Sequence, residues 1–184
     1  MGSESKAALQ IEGLSDRHPG VTKALGDGFA EAACVCLHRY HLPPQMFHVA
    51  RDQSASEASV TWRSPSARTL AAHANEIDAT EAGAYAMVLA AVELTDQLVA
   101  VARAETRTGA DYYLMPVGVP LVDLEACIRL EVSGVSRGPD AVVQERLRRK
   151  RKQAAVGDSL LPAIAGVVGF EAKRLLIANV DLAK

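Results

Sequence analysis

Residues 163–170 of this 184-residue chain contain no polar side chain, and this segment constrains the fold more than any other part of the sequence. Side chains of a β-strand alternate between the two faces of its sheet, so a strand that is apolar throughout is covered on both faces. The segment therefore predicts an interior strand, in a sheet that has helices packed against it.

The segments around this strand alternate between helical and extended patterns. Residues 80–105 form the clearest helical pattern, because they are rich in alanine, lack proline and are apolar around most of the helix. The spacing of Asp78 and Glu81 resembles a capping box at the start of this helix, with Asp in place of the usual Ser or Thr. We expect Gly157 to end a later helix. The predicted order is helix 80–105, strands 110–115 and 126–132, helix 141–156, and strands 163–170 and 174–180.

This order, α-β-β-α-β-β, predicts an α/β fold with a central mixed β-sheet flanked by helices. Residues 1–20 are polar and contain two glycines and a proline after residue 12, so we expect a flexible N-terminal arm. Residues 21–75 are expected to form a helical extension, with its main helix at 22–41 and a candidate strand at 58–62. Residues 76–184 hold the α/β core, and the length of the chain fits one compact domain.

Cysteine content and apolar run lengths indicate the compartment. Cys34, Cys36 and Cys127 cannot form a complete disulfide framework, which favours a reducing environment. No uninterrupted apolar run reaches membrane-spanning length, and the N-terminus lacks the basic-then-apolar order of a signal peptide. We therefore expect a soluble cytoplasmic protein with no membrane contact.

Six of the 20 basic residues lie together in the predicted helix 141–156, although the net charge of the whole chain is −2. These six are Arg146, Arg148, Arg149, Lys150, Arg151 and Lys152. A basic segment on an otherwise acidic protein is typical of a face that contacts the phosphates of nucleic acid. The same segment also fits a solvated helix face, or a site for an acidic partner protein.

Two short predicted strands each carry one carboxylate, Asp111 in the first and Glu131 in the second. A carboxylate is costly to bury, so each needs a partner, and a divalent cation is one candidate. Strand alternation places Asp111 on one face with Tyr113, and Glu131 on one face with Arg129 and Ser133. If the two strands pair, the two carboxylates come within reach of one metal ion.

The long helix offers a third acid. Glu81 shares a stripe with Tyr85, Val88 and Val92 at helical spacing, so it heads a largely apolar face. A first-turn glutamate also suits the helix dipole, and this capping role is the alternative interpretation. Glu76, just upstream, competes with Glu81 for the position of the acid at the helix start.

Together these residues resemble the PD-(D/E)XK nuclease superfamily, which includes restriction endonucleases, Holliday-junction resolvases and RecB-type nuclease domains. The resemblance covers residues 76–180 and includes the order of elements as well as the acids. Position by position, Glu81 matches the helix acid, Asp111 the metal-binding aspartate, and Glu131 the acid of the third motif. The resemblance adds the backbone carbonyl of Val132 as a metal ligand and predicts a restriction-endonuclease-like core.

The resemblance implies a Mg²⁺- or Mn²⁺-dependent nuclease that hydrolyses DNA phosphodiester bonds, in DNA repair or phage defence. The metal lowers the pKa of a bound water and neutralises charge that develops on the phosphate. DNA is the implied partner, bound by the basic helix. A helicase, an ATPase or a methyltransferase as protein partner, and a homodimer, are further arrangements that the resemblance allows.

Ser133 departs from the family pattern, because the family carries a lysine at this position that positions or polarises the attacking water. A serine hydroxyl hydrogen-bonds a water but brings no positive charge. One reading is that a cation reaches the site from elsewhere, with Lys150, Lys152 and Arg129 as candidates. The alternative is a catalytically inactive module that binds nucleic acid or a protein partner. A third reading is an unrelated α/β protein in which Asp111 is a turn or cap residue and Glu131 an ion-pair partner.

Overall fold

The computed structural model describes residues 7–105, 108–120, 122–156 and 159–181. Gly157, expected to end a helix, and residues 1–6 of the expected arm lie outside these ranges. The helices are α1 (Leu14–Arg17), α2 (Lys23–His38), α3 (Ala67–Ala72), α4 (Glu76–Asp96) and α5 (Asp140–Ala155). The strands are β1 (Gln45–Arg51), β2 (Ser54–Val60), β3 (Leu98–Arg103), β4 (Tyr112–Pro116), β5 (Ile128–Val135), β6 (Ala163–Gly169) and β7 (Arg174–Val180).

The strands form one curled mixed sheet in the order β2-β1-β7-β6-β5-β4-β3. Strand β6 lies at its centre, parallel to β5 and antiparallel to β7, and all of its residues are buried. The predicted interior strand is therefore confirmed. Helix α4 covers one face and α5 the other, and glycines of β6 let both helices approach: a Cβ on Gly166 would lie 2.4 Å from Val88, and a Cβ on Gly169 would lie 2.4 Å from Val143.

Helix α4 starts earlier and ends earlier than the sequence pattern indicated. Its N-cap is Asn75, whose side-chain oxygen accepts hydrogen bonds from the backbone of Ile77 and Asp78, so the predicted Asp78–Glu81 capping box is wrong. Gln97 adopts a left-handed conformation (φ 54°) and ends the helix. The expected helical course of residues 98–105 is also wrong, because Leu98–Arg103 forms β3. An apolar run of alternating alanine and valine is typical of a buried strand as well as of a buried helix, so the pattern does not distinguish the two.

The N-terminal segment, which we define as residues 7–20, packs against the sheet and is not the flexible arm that was expected. Ala8 bridges Ser59 on edge strand β2, and the amide of Gly20 donates to Ala100 on edge strand β3 at 2.8 Å. The segment thus runs between the two edges of the curled sheet. Its apolar residues Leu9, Ile11 and Leu14 are at most 3% exposed.

Residues 21–75 are only partly the helical extension that was predicted. Helix α2 begins after its N-cap Thr22 and packs on α4, close to the predicted 22–41 helix. The following hairpin, β1 and β2, joins the sheet through parallel pairing of β1 with β7. Sheet and core are therefore continuous across residue 76. No helix in the described ranges combines the length and the apolar character needed to cross a membrane.

Candidate functional site

A cleft of about 830 Å³ opens where the chain enters β4, beside β5 and under helix α5. Its lining includes Arg103, Gly109, Asp111, Glu131, Lys150 and Gln153. A smaller cavity of about 270 Å³ adjoins it, shares Asp111 and Lys150, and adds Glu81, Tyr85 and Ser133. The structure therefore brings the acid of α4, the acid just before β4 and the acid of β5 to two adjoining cavities, and Asp111 lines both. We call the larger space the Asp111–Glu131 cleft.

Asp111 is fixed by groups from two neighbouring elements. One carboxylate oxygen accepts the backbone N–H of Val132 on β5 at 2.8 Å, and the other accepts the hydroxyl of Tyr85 on α4 at 2.7 Å. Arg103 lies 3.5 Å from the second oxygen. Asp111 directly precedes β4, and its backbone hydrogen bonds to Leu130 and Ala104 continue the pairing of β4 with β5 and β3, while the expected common face with Tyr113 stays a prediction.

Glu131 forms an ion pair with Lys150 of helix α5, with 2.6 Å between Oε1 and Nζ. The glutamate side chain is only 6% exposed and the lysine side chain 20%. Burial raises the pKa of Glu131, and the nearby Asp111 charge raises it further, while the hydrogen bond from Lys150 opposes part of this effect. The strand phase predicted for Glu131 is confirmed, since Leu130 and Val132 face the main core instead.

Ser133 and Glu81 occupy the smaller cavity. Ser133 is 8% exposed, and its hydroxyl accepts a hydrogen bond from Arg146 of α5 at 3.2 Å. Glu81 is exposed and is the sixth residue of α4, beyond the first turn, so the alternative of a capping residue is wrong. Glu76 accepts a hydrogen bond from Ser136 at 2.5 Å and does not line either cavity, which leaves Glu81 as the acid of α4 at the site.

Of the three cations proposed to replace the missing lysine, the structure places Lys150 at the acids. Arg129 is fully buried and donates to the carbonyl oxygens of Thr108, Ala154 and Leu161. These bonds tie β5 to the end of α5. Lys152 is exposed on α5.

The remaining basic residues of α5 lie mostly toward solvent. Arg148 and Arg149 both pair with Glu145, one turn earlier, and their side chains are 63% and 71% exposed. Arg151 contacts Asp181 at 2.8 Å. Surface ion pairs of this kind contribute little to stability, so these cations remain accessible to a phosphate backbone.

The sequence did not single out Arg103 and Tyr85 as site residues. Tyr85 was detectable in principle, because it follows Glu81 by one turn on the predicted stripe of α4. Arg103 gave no such signal, since it lay inside the segment predicted as helix and reaches the site only as the last residue of β3.

The donor set fits a hard divalent cation. Mg²⁺ and Mn²⁺ prefer carboxylate and carbonyl oxygens, which Asp111 and Glu131 offer within one cleft. The N–H and C=O of a strand residue point to the same neighbouring strand, so the Val132 carbonyl lies on the Asp111 side of β5. Among the described residues, no three His, Cys, Asp or Glu side chains form a metal-holding group. The metal hypothesis therefore depends on these two carboxylates and the carbonyl.

Comparisons of the chain with protein-family models, with curated proteins and with solved structures gave no match.

Proposed function

We propose that this protein is a Mg²⁺- or Mn²⁺-dependent nuclease that hydrolyses phosphodiester bonds of DNA, built on a restriction-endonuclease-like core. The observation that carries the proposal is the 2.6 Å contact of Lys150 with Glu131, in a cleft that Asp111 also lines. Ser133 takes the position where a lysine was expected, and Lys150 brings an ammonium group to the same acids from α5. The missing lysine is therefore no argument against catalysis.

Asp111, Glu131 and the Val132 carbonyl are the groups that would hold the metal. When bound, the ion would lower the pKa of a coordinated water and offset charge on the phosphate. Tyr85 and the Val132 amide hold the Asp111 carboxylate in one orientation, which reduces the reorganisation needed for binding.

Lys150 has three N–H donors, of which one meets Glu131. The others are available to orient the attacking water or to contact a phosphate oxygen. Arg146 donates to the Ser133 hydroxyl, and we assign both residues, which line the smaller cavity, to positioning. Glu81, exposed and lining this cavity, would accept a hydrogen bond from a water that enters it.

Supercoiled plasmid and single-stranded DNA, each incubated with Mn²⁺, test the proposal. We expect the wild-type protein to cut, and Asp111→Asn and Lys150→Ala to lower the rate at least about 100-fold, as removal of a positioned catalytic group does. Lys23→Ala is the control, since Lys23 is an exposed lysine at the start of α2 that lines neither cavity, and this variant should cut at nearly the wild-type rate. Full activity of Asp111→Asn would contradict the site assignment.

A second function, binding without catalysis, is favoured by one observation. Each carboxylate already has a cation beside it, Arg103 at Asp111 and Lys150 at Glu131, so the site is charge-balanced without a metal. A binding module predicts no cleavage with any metal and no rise in melting temperature with Mn²⁺.

DNA binding by α5 is common to both functions. Arg148→Gln combined with Arg149→Gln should weaken binding of a labelled duplex and reduce the slope of log K against log salt by about 1.8, or 0.9 per lost phosphate contact. Arg68→Gln, an exposed arginine on α3, is the control and should leave the slope unchanged. An unchanged slope in the double variant would remove α5 from the proposed interface.

A further inference from the structure

Arg103 lines the Asp111–Glu131 cleft and packs against the rings of Tyr85 and Tyr112. It is the last residue of β3, directly paired with Tyr112 of β4, and its side chain is 49% exposed. A register shift between Ala100 and Ala102 precedes it, so β3 is irregular where it approaches the cleft.

Two tyrosine rings hold the guanidinium group. Its central carbon lies 4.6 Å from the ring centre of Tyr85 and 4.7 Å from that of Tyr112. Cation–π contact fixes the plane of an arginine without consuming its N–H donors. One donor reaches the Tyr85 hydroxyl at 2.9 Å, and this hydroxyl in turn donates to Asp111. The other N–H groups of this planar guanidinium, which lines the cleft, are therefore available for bidentate contact with two oxygens of a phosphate.

The contact between Arg103 and Asp111 is the weakest of those that hold the aspartate. Its 3.5 Å separation is longer than a normal hydrogen bond, whereas Val132 and Tyr85 hold the same carboxylate at 2.8 Å and 2.7 Å. A divalent ion on Asp111 would place two positive charges next to the guanidinium, and like charges this close repel. Arg103 would then separate from Asp111, while its contacts with the two rings would hold it at the cleft.

We propose that Arg103 is a phosphate-binding residue that neutralises Asp111 in the absence of metal and exchanges this carboxylate for a substrate phosphate when a divalent ion binds. This inference rests on the proposed function for its metal and its substrate class. It predicts that loss of Arg103 raises the affinity for the divalent ion and lowers the affinity for the substrate phosphate.

Isothermal titration with Mn²⁺ alone tests the first half. Arg103→Gln should bind Mn²⁺ about threefold to fivefold more tightly than wild type. The reason is that the metal no longer has to replace the guanidinium at Asp111, a contact whose free energy is that of an exposed ion pair. Arg103→Lys keeps the competing charge and should bind Mn²⁺ with nearly wild-type affinity. Arg68→Gln controls for the change in net charge and should leave Mn²⁺ binding unchanged. Equal or weaker Mn²⁺ binding by Arg103→Gln would overturn the inference.

Fluorescence anisotropy with a labelled single-stranded oligonucleotide in Ca²⁺ tests the second half. Both Arg103→Gln and Arg103→Lys should bind more weakly than wild type, the first with a salt slope reduced by about 0.7 for the lost phosphate contact. Unchanged oligonucleotide binding in Arg103→Gln would also overturn the inference. If the Arg103 variants change Mn²⁺ binding and oligonucleotide binding as predicted, but the wild-type protein cuts no DNA, the nuclease proposal is contradicted and the role of Arg103 is supported.

Discussion

Lys150 and Glu131 illustrate what single residues contribute, because their ion pair is both a structural contact and the centre of the proposed site. Glu131 lies on β5 beneath α5 with 6% of its side chain exposed, so its charge has little access to water. An ion pair this covered contributes modest net stability, but loss of one partner leaves the other charge buried and uncompensated.

Lys150→Met therefore should lower the free energy of unfolding at neutral pH by about 2 kcal/mol, less than the 3–5 kcal/mol of a fully buried pair. Lys150 keeps 20% of its side chain in solvent, which is the reason for the smaller value. The loss should shrink at acidic pH, where Glu131 takes up a proton. Urea unfolding at both pH values measures it, with Lys152→Met as a control that should change stability by less than about 0.5 kcal/mol. An equal loss at both pH values would show that the charge of Glu131 is not involved.

The pKa of Glu131 sets the pH dependence at the same site. Burial raises this pKa above 4.5, its ordinary value, so the native state binds the proton more tightly than the unfolded chain does. The protonated Glu131 side chain therefore contributes to the free energy of unfolding at pH values below 4.5. This contribution is lost as the pH rises through the raised pKa of the folded protein. Metal binding requires the ionised carboxylate, so Mn²⁺ affinity should rise over the same interval.

Titration calorimetry with Mn²⁺ across this pH range measures the expected rise. The midpoint of this rise in Mn²⁺ affinity should lie above pH 4.5. In Glu131→Gln the rise should be absent, and most of the Mn²⁺ affinity should be lost. A midpoint at or below the ordinary glutamate value would indicate that Glu131 is not the titrating ligand.

At the scale of elements, helix α2 packs closely on α4, the helix that carries Glu81 and Tyr85. Both helices are rich in alanine, and Gly83 of α4 sits directly against the backbone of Ala33 on α2. A Cβ on Gly83 would lie 2.9 Å from that backbone, closer than packed atoms tolerate. Small residues at this contact thus fix the distance between the helices.

Gly83→Ala should lower the free energy of unfolding by about 1–3 kcal/mol, because the steric clash outweighs the gain of about 1 kcal/mol in helix propensity. Gly28→Ala on α2 is the matched control: a Cβ there meets no atom within 4 Å. It should stabilise the protein by about 0.5–1 kcal/mol through propensity alone. Denaturant titrations of both variants measure the difference, and equal stability of the two would contradict the packing described.

At the scale of the whole molecule, the N-terminal segment joins two sheet edges that are far apart in strand order. It contacts β2 through Ala8 and β3 through Gly20, and it buries Leu14 completely. Exposed edge strands invite pairing with other chains, and these contacts protect part of both edges. The homodimer and the helicase, ATPase or methyltransferase partner remain predictions from the family resemblance.

Leu14→Ala should lower the free energy of unfolding by about 2–5 kcal/mol, the range for large-to-small changes in a packed core. Leu25→Ala is the control, since Leu25 is 46% exposed, and it should cost less than about 1 kcal/mol. Thermal unfolding followed by circular dichroism compares the two. Similar melting temperatures would mean that the N-terminal segment behaves as the flexible arm that its polar composition suggested.

Much of the fold was predictable from local pattern. Strands β6 and β7 and helices α2 and α5 lie where periodicity placed them, because their apolar spacing and end signals agree. Strand β3 was not predictable, since its alternating alanine and valine continue the helical pattern of α4 and only Gln97 separates the two. The N-terminal segment was missed because a few spaced apolar residues among polar ones give no periodic signal.

The candidate site divides in the same way. The sequence by itself determined that acids at 81, 111 and 131 would accompany an α/β sheet and a basic helix, since residue type and strand alternation are local properties. Only the tertiary structure decided which cation meets which acid. Lys150 reaches Glu131 across 19 positions of sequence, and Arg103 reaches Asp111 from an edge strand that had been predicted as helix. Such contacts depend on how α5 and β3 pack on the sheet, and packing is a property of the whole chain that no local pattern contains.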